Sequence, residues 1–158
     1  MSPAKQKRGS VLIELALVMT IFVPLMLGAV HFGYLFYLYN GLEKSIRDGA
    51  RYAASRTYVT QGAYEDVIKS VVVCGSWNGT CGTTGGPQAT VVDLTTSMVS
   101  VTPIFGTGGR PARVRIAIQN YPYRGVLSSV LNSNTGGVLY LSKPSVEFPY
   151  FGRYAPPE

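Results

Sequence analysis

The chain has 158 residues, 46% of them hydrophobic, and 14 Lys and Arg against 8 Asp and Glu give it a net charge of +6. Its 18 glycines and 10 prolines follow no repeat, which excludes a collagen-like chain, and its apolar content excludes a low-complexity disordered one. Two cysteines are too few for a disulfide-dense scaffold or a thiolate zinc site.

The apolar residues are concentrated near the amino terminus. No Asp, Glu, Lys or Arg lies between Glu14 and Glu43. Residues 15 to about 36 reach the roughly 20 apolar positions that a membrane-spanning helix needs. Lys5, Lys7 and Arg8 precede the span, so the positive-inside bias puts the amino terminus in the cytoplasm and the rest of the chain outside. A cleavable signal peptide has a shorter apolar stretch, about 7–15 residues, and a small-residue cleavage site. This stretch runs on past that length with no clear Ala-x-Ala site, so a retained span in membrane lipid is expected.

Pro24 is expected to bend or loosen the helix, because it lacks an amide and clashes with the preceding turn. Gly28 and Gly33 add pliancy, and their spacing is expected to leave a smooth patch for a second helix. His31 is the only histidine and has no cysteine or carboxylate at ligand spacing, so it reads as an interfacial polar residue. Tyr34, Phe36, Tyr37 and Tyr39 suit the outer interfacial belt.

Asn40-Gly41 is a potential break, yet the helical period continues beyond it. Leu42, Ile46, Ala50 and Ala53 recur at spacings of three and four and share one face. Glu43 with Arg47, and Lys44 with Asp48, are opposite-sign pairs four residues apart. A single bent helix from about residue 10 to about residue 56 is predicted, roughly 70 Å long. Arg47, Arg51 and Arg56 are interspersed with Glu43 and Asp48, so they read as a solvated face rather than a nucleic-acid patch. Arg47 and Arg51, with Trp77, are the candidate contact surface.

Residues 57–66 read as a turn-rich join or a short helix ending near Glu65-Asp66. Strands are predicted at Val67–Cys74, Ala89–Leu94, Met98–Thr102, Ala112–Gln119 and Val138–Leu141, with a weaker one at Val146–Phe148. The best is Ala112–Gln119, where Val114, Ile116 and Ile118 face one side and Arg113 and Arg115 the other. Gly-rich separators at 82–87, 105–110 and 132–137 divide them, and residues 126–131 read as a short helix or an apolar loop. The tail 150–158 reads as irregular. The predicted class is α+β, with an antiparallel sheet packed on the carboxyl-terminal half of the long helix.

Cys74 and Cys81 close a short loop, and outside the cytoplasm a disulfide is their natural state. Trp77 at the loop tip is either a lid or an exposed contact, and Asn78-Gly79-Thr80 matches a glycosylation acceptor. No nucleophile elbow, His-x-x-x-His or phosphate-cradling loop is present, and Asp93 is the only carboxylate between Asp66 and Glu147. No enzyme, metal or cofactor is expected, so the functional surface should be an interface.

Glu14 is the residue that bulk hydrophobicity leaves unexplained, since a carboxylate at the start of an apolar helix is costly unless paired or near the interface. It is either a helix-terminal acid or the partner of a cation on a neighbouring subunit. Gly9, Ser10 and Glu14 form a basic leader ending in glycine, four further residues, then a glutamate before the apolar helix. That pattern resembles the processing signal of type IV pilin-like proteins. Together with Pro24-Leu25-Met26-Leu27-Gly28, Phe32-Gly33-Tyr34 and Gly49-Ala50-Arg51-Tyr52-Ala53-Ala54, it resembles the TadE-like family, minor pilin-like proteins of tight-adherence (Flp) pilus and secretion systems. Leu15 departs from the family pattern, in which an aromatic often follows the glutamate.

The resemblance implies a leader over 1–9 cut between Gly9 and Ser10 by a prepilin-type peptidase. A transmembrane and assembly helix would follow over 10–38, then an extracytoplasmic domain over 39–158 that includes the helix continuation. It implies a bacterial inner-membrane location, with other pilin-like subunits and the pilus assembly machinery as partners. Glu14 would neutralise a neighbour's new amino terminus. The alternative is an uncleaved single-span envelope protein whose outer domain binds a partner or ligand; a membrane-tethered enzyme is a poorer third.

Overall fold

The computed structural model describes residues 3–58, 61–77, 81, 86–107, 111–124, 138–142 and 144–152. The elements in order are helix α1 (Pro3–Ser55), helix α2 (Gln61–Cys74), a single 3-10 turn at Thr96–Met98, and five strands. The strands are β1 (Val99–Phe105), β2 (Pro111–Ile118), β3 (Tyr121–Arg124), β4 (Val138–Leu141) and β5 (Ser145–Pro149). The chain divides into two compact units, Met1–Phe36 and Tyr37–Glu158.

The first unit is helix alone. Every side chain from Gly9 to Leu27 is exposed, and this is the one helix among the described residues that is long and apolar enough to cross a membrane. Neither Pro24 nor Asn40-Gly41 ends α1. Proline has no amide to give, so the Thr20 carbonyl one turn earlier loses its usual donor. Thr20 itself donates its hydroxyl back to the Ala16 carbonyl at 2.8 Å.

In the second unit, α1 turns amphipathic as its sequence period requires. Leu42, Ile46, Ala50 and Ala53 are all buried, while Lys44, Arg47, Asp48, Arg51 and Ser55 are exposed. The helix comes close to its neighbours at its glycines. A Cβ on Gly49 would run into the Val72 side chain of α2, and one on Gly41 would lie 3.3 Å from Val91 Cγ2. The carboxyl-terminal carbonyls of α1, which lack partners within the helix, are met by distant groups. The Tyr64 hydroxyl donates to the Ala53 carbonyl at 2.6 Å and the Phe151 amide to the Ala54 carbonyl at 2.9 Å. Tyr150 completes the clamp, donating its hydroxyl to the Arg56 carbonyl and accepting from the Tyr58 amide.

Helix α2 corrects one sequence expectation. Val67–Cys74 is the second half of a helix beginning at Gln61, not a strand. Its β-branched residues suit either state; the four-residue spacing of buried Tyr64, Ile68 and Val72 decides for the helix. The polar side carries its own helical ladder, with Glu65 accepting from Gln61 at 2.9 Å and pairing with Lys69 at 3.5 Å. Ala89–Leu94 is likewise a turn rather than a strand, with Asp93 at a φ of 62°. β1, β2, β4 and β5 fall where strands were expected; β3 was not anticipated.

The strands form two antiparallel sheets rather than one, β1-β2-β5 and β3-β4. The two share a single register. Ala117 pairs with Ser145, and stepping forward along one strand and back along the other arrives at the observed Tyr121–Leu141 pair with no residue gained or lost. β2-β3 and β4-β5 are therefore one long ribbon interrupted at residues 119–120, where Asn120 adopts a left-handed φ of 54°. The buried side switches across that interruption, from Val114, Ile116 and Ile118 on β2 to Tyr121 and Tyr123 on β3.

Both edges of the three-stranded sheet carry a proline. The Tyr150 amide bonds the Ala112 carbonyl and the Gln119 amide bonds the Met98 carbonyl, which fixes the side to which each edge strand turns its bonding groups. By antiparallel alternation, Pro149 and Pro103 occupy positions turned away from β2, where a missing amide breaks no ladder bond. β1 also packs against α2, giving the second unit its helix-on-sheet core.

Candidate functional site: the exposed helix and its charged positions

In the first unit the backbone is helical because Leu, Met, Ala, Val and Ile dominate, and nothing in that unit covers them. Gly9, Ser10 and Glu14 are exposed on this helix, and a Cβ at Gly9 would meet nothing within 4 Å. Glu14 has no hydrogen bond or ion pair among the described residues. One turn away it is flanked by Ser10, Val11, Leu17 and Val18, so the carboxylate stands among mainly apolar side chains.

Gly28 and Gly33 have open space around them. At about 100° per residue they lie roughly 140° apart around the axis, on different faces, so the single smooth patch expected from the pair is not formed. Pro24 and Gly28, one turn apart, do share a face. His31 is half-exposed, and Phe36 and Tyr37 are 68% and 73% exposed.

In the second unit the expected Glu43–Arg47 pair is present at 2.8 Å, but Lys44 and Asp48 do not pair. Among the described residues, Lys44, Asp48 and Arg51 have no ion-pair partner. Arg56 leaves the row of arginines: its guanidinium lies over the Tyr52 ring, 5.4 Å from the centroid, and donates to the Tyr52 hydroxyl. Trp77 is 66% exposed, so it is not folded back as a lid. Cys74 and Cys81 are joined in a disulfide with their Cα atoms 5.7 Å apart. The Asn78-Gly79-Thr80 match, the loops at 126–131 and 132–137 and most of the tail lie outside the described residues.

Two features were not anticipated. On the exposed side of the sheet, Glu147 accepts from Arg115 at 2.6–2.9 Å and lies 3.9 Å from Arg113; the β2-β5 register that brings them together is invisible in either strand alone. Beside them is an open hollow of about 800 Å³ lined by Arg115, Gln119, Asn120, Ser142, Ser145 and Glu147. It offers one carboxylate, already engaged by arginine, and no nucleophile paired with a base. The second is Tyr64, whose phenol is held above its ordinary range, first by burial, then by the neighbouring Tyr150 and Tyr58, with Arg56 opposing. No three His, Cys, Asp or Glu side chains among the described residues gather as a metal site.

Compared with known proteins, residues 9–51 match the family model described as TadE-like protein. The match begins at Gly9, contains Glu14 and ends at Arg51, before α2 and all five strands. No curated protein and no solved structure matches the chain.

Proposed function

We propose that this chain, whose residues 9–51 carry the TadE-like assignment, is a minor pilin-like assembly component of a tight-adherence (Flp-type) pilus or a related secretion pseudopilus. The observation that carries the reading is an apolar helix exposed on all sides, with a carboxylate near its start that has no ion-pair partner among the described residues. Such a surface is at rest only in lipid or against other apolar helices. The span anchors the chain in the bacterial inner membrane, with the amino terminus cytoplasmic and the outer unit extracytoplasmic.

The division of labour follows from this. Residues 1–9 form the leader, 10–38 the span and assembly helix, and 39–158 the outer domain. The peptidase cleaves after Gly9. The amine thereby created on Ser10 of one subunit neutralises Glu14 of its neighbour, removing the cost of a carboxylate among apolar helices. The chain's work is mechanical: helix packing, with Pro24 and Gly28 shaping one contact face and Gly33 another, and selection of neighbours by the outer unit through Arg47, Arg51 and Trp77.

N-terminal peptide and intact-mass spectrometry on protein from native membranes, with and without the prepilin-type peptidase, tests it. The expected result is a peptidase-dependent terminus at Ser10. An intact leader under both conditions would overturn the processed-subunit reading in favour of an uncleaved, single-span envelope protein.

A further inference from the structure

We infer that the exposed face of α1 in the outer unit registers one copy of this chain against the next, with an axial offset of one helical turn. The inference rests on the reading of the chain as an assembling subunit and adds to it a second copy as neighbour and a set of pairing residues. The face is the side left open by the fold: Lys44, Arg47, Asp48, Arg51 and Ser55 are exposed opposite buried Leu42, Ile46, Ala50 and Ala53. Arg47 is held by Glu43 within the chain. Lys44, Asp48 and Arg51 have no ion-pair partner among the described residues, and along the helix they alternate in sign at steps of four and three residues.

That alternation is self-complementary at only some offsets. Two parallel copies at equal height set Lys44 against Lys44, Asp48 against Asp48 and Arg51 against Arg51, three repulsive contacts. Raising one copy by three to four residues, an axial step of about 5–6 Å, replaces the three like-charge contacts with two of opposite sign. Asp48 of the lower copy then meets Lys44 of the upper, and Arg51 of the lower meets Asp48 of the upper. Each Asp48 in a row of copies is bracketed by two cations. The copies are parallel because each is anchored by the same amino-terminal helix.

Cysteine crosslinking of two co-expressed full-length copies in membranes tests the register, using a short bis-maleimide that leaves the Cys74–Cys81 disulfide unreacted. The combinations Asp48→Cys with Lys44→Cys and Asp48→Cys with Arg51→Cys should crosslink several-fold more than Asp48→Cys with itself. Co-isolation of two differently tagged copies should fall about tenfold in Asp48→Lys and return in the triple reversal K44E/D48K/R51E. That return rules out misfolding as the cause of the loss.

Same-residue crosslinks equal to or above the staggered ones, absence of all of them, or failure of the triple reversal to restore co-isolation would overturn the inference. Mass spectrometry of the same membranes separates it from the processing reading. Staggered crosslinks on chains with an intact leader sustain the register and sink processing. A terminus at Ser10 without staggered crosslinks sinks the register alone.

Discussion

The close approach of α1 and α2 at Gly49 makes a quantitative expectation for Gly49→Ala. In an isolated helix the change is favourable by about 1 kcal/mol. Here the new methyl enters the space of the Val72 side chain, which is fully buried, β-branched and stiff at χ1. Overpacking of that kind costs about 1–3 kcal/mol, so the net expectation is a loss of about 0–2 kcal/mol.

Val72→Ala alone removes two methyl equivalents from the core at about 0.8 kcal/mol each and leaves part of a cavity, for a loss of about 2 kcal/mol. In the double variant the methyl introduced by Gly49→Ala occupies space vacated by Val72. The losses should then fail to add, with a favourable coupling of about 1–3 kcal/mol. Guanidinium unfolding of the full chain in detergent micelles, followed by near-UV dichroism, reads the packing around the outer unit's buried Tyr58, Tyr64, Tyr121 and Tyr123. Stabilisation by Gly49→Ala of the full 1 kcal/mol, with additive losses around the cycle, would refute the packing of these two helices.

Three further outcomes follow from the same geometry. Reduction of Cys74–Cys81, or Cys81→Ser with Cys74→Ser, should lower stability by about 2–3 kcal/mol from the entropy of a loop this short, seen as a drop in Tm with reductant. The raised phenol of Tyr64 stabilises the fold fully below the ordinary tyrosine range near pH 10, and that contribution is lost as pH rises above it, because the unfolded chain releases the proton first. Unfolding midpoints between about pH 8 and pH 11 should fall more steeply in the native chain than in Tyr64→Phe, which at neutral pH costs about 1–3 kcal/mol by orphaning the Ala53 carbonyl. Glu147→Ala should change stability by less than about 1 kcal/mol, since its arginine partners are more than half exposed; a larger loss by denaturant titration would mean that the pair carries more than surface electrostatics allow.

What was legible in the sequence was whatever a local period or a local absence of charge could write. The run without ionised groups from Leu15 to Leu42 set the helix, and the three- and four-residue recurrence of Leu42, Ile46, Ala50 and Ala53 set the face it buries. The alternation of Val114, Ile116 and Ile118 set β2 and its inner side. α2 was misread because a short window of Val and Ile does not separate strand from helix. Its helical signal lay in Tyr64-Ile68-Val72 and in the Gln61-Glu65-Lys69 ladder, both wider than the run itself. β3 was missed because Tyr121-Pro122-Tyr123 is brief, contains a proline and follows a change of face at Asn120.

By itself, then, the sequence determined the long apolar helix, the carboxylate of Glu14 near its start and the cysteines that could close a loop, because each is stated by neighbouring residues. Tertiary structure alone decided which charges remain unpaired. Glu43 takes Arg47 and Arg56 turns to Tyr52, while Lys44, Asp48 and Arg51 remain without an ion-pair partner among the described residues on the open face. It also decided that β2-β3 and β4-β5 form one interrupted ribbon. Pairing across a distance depends on what the rest of the chain leaves within reach, and no window of sequence contains that.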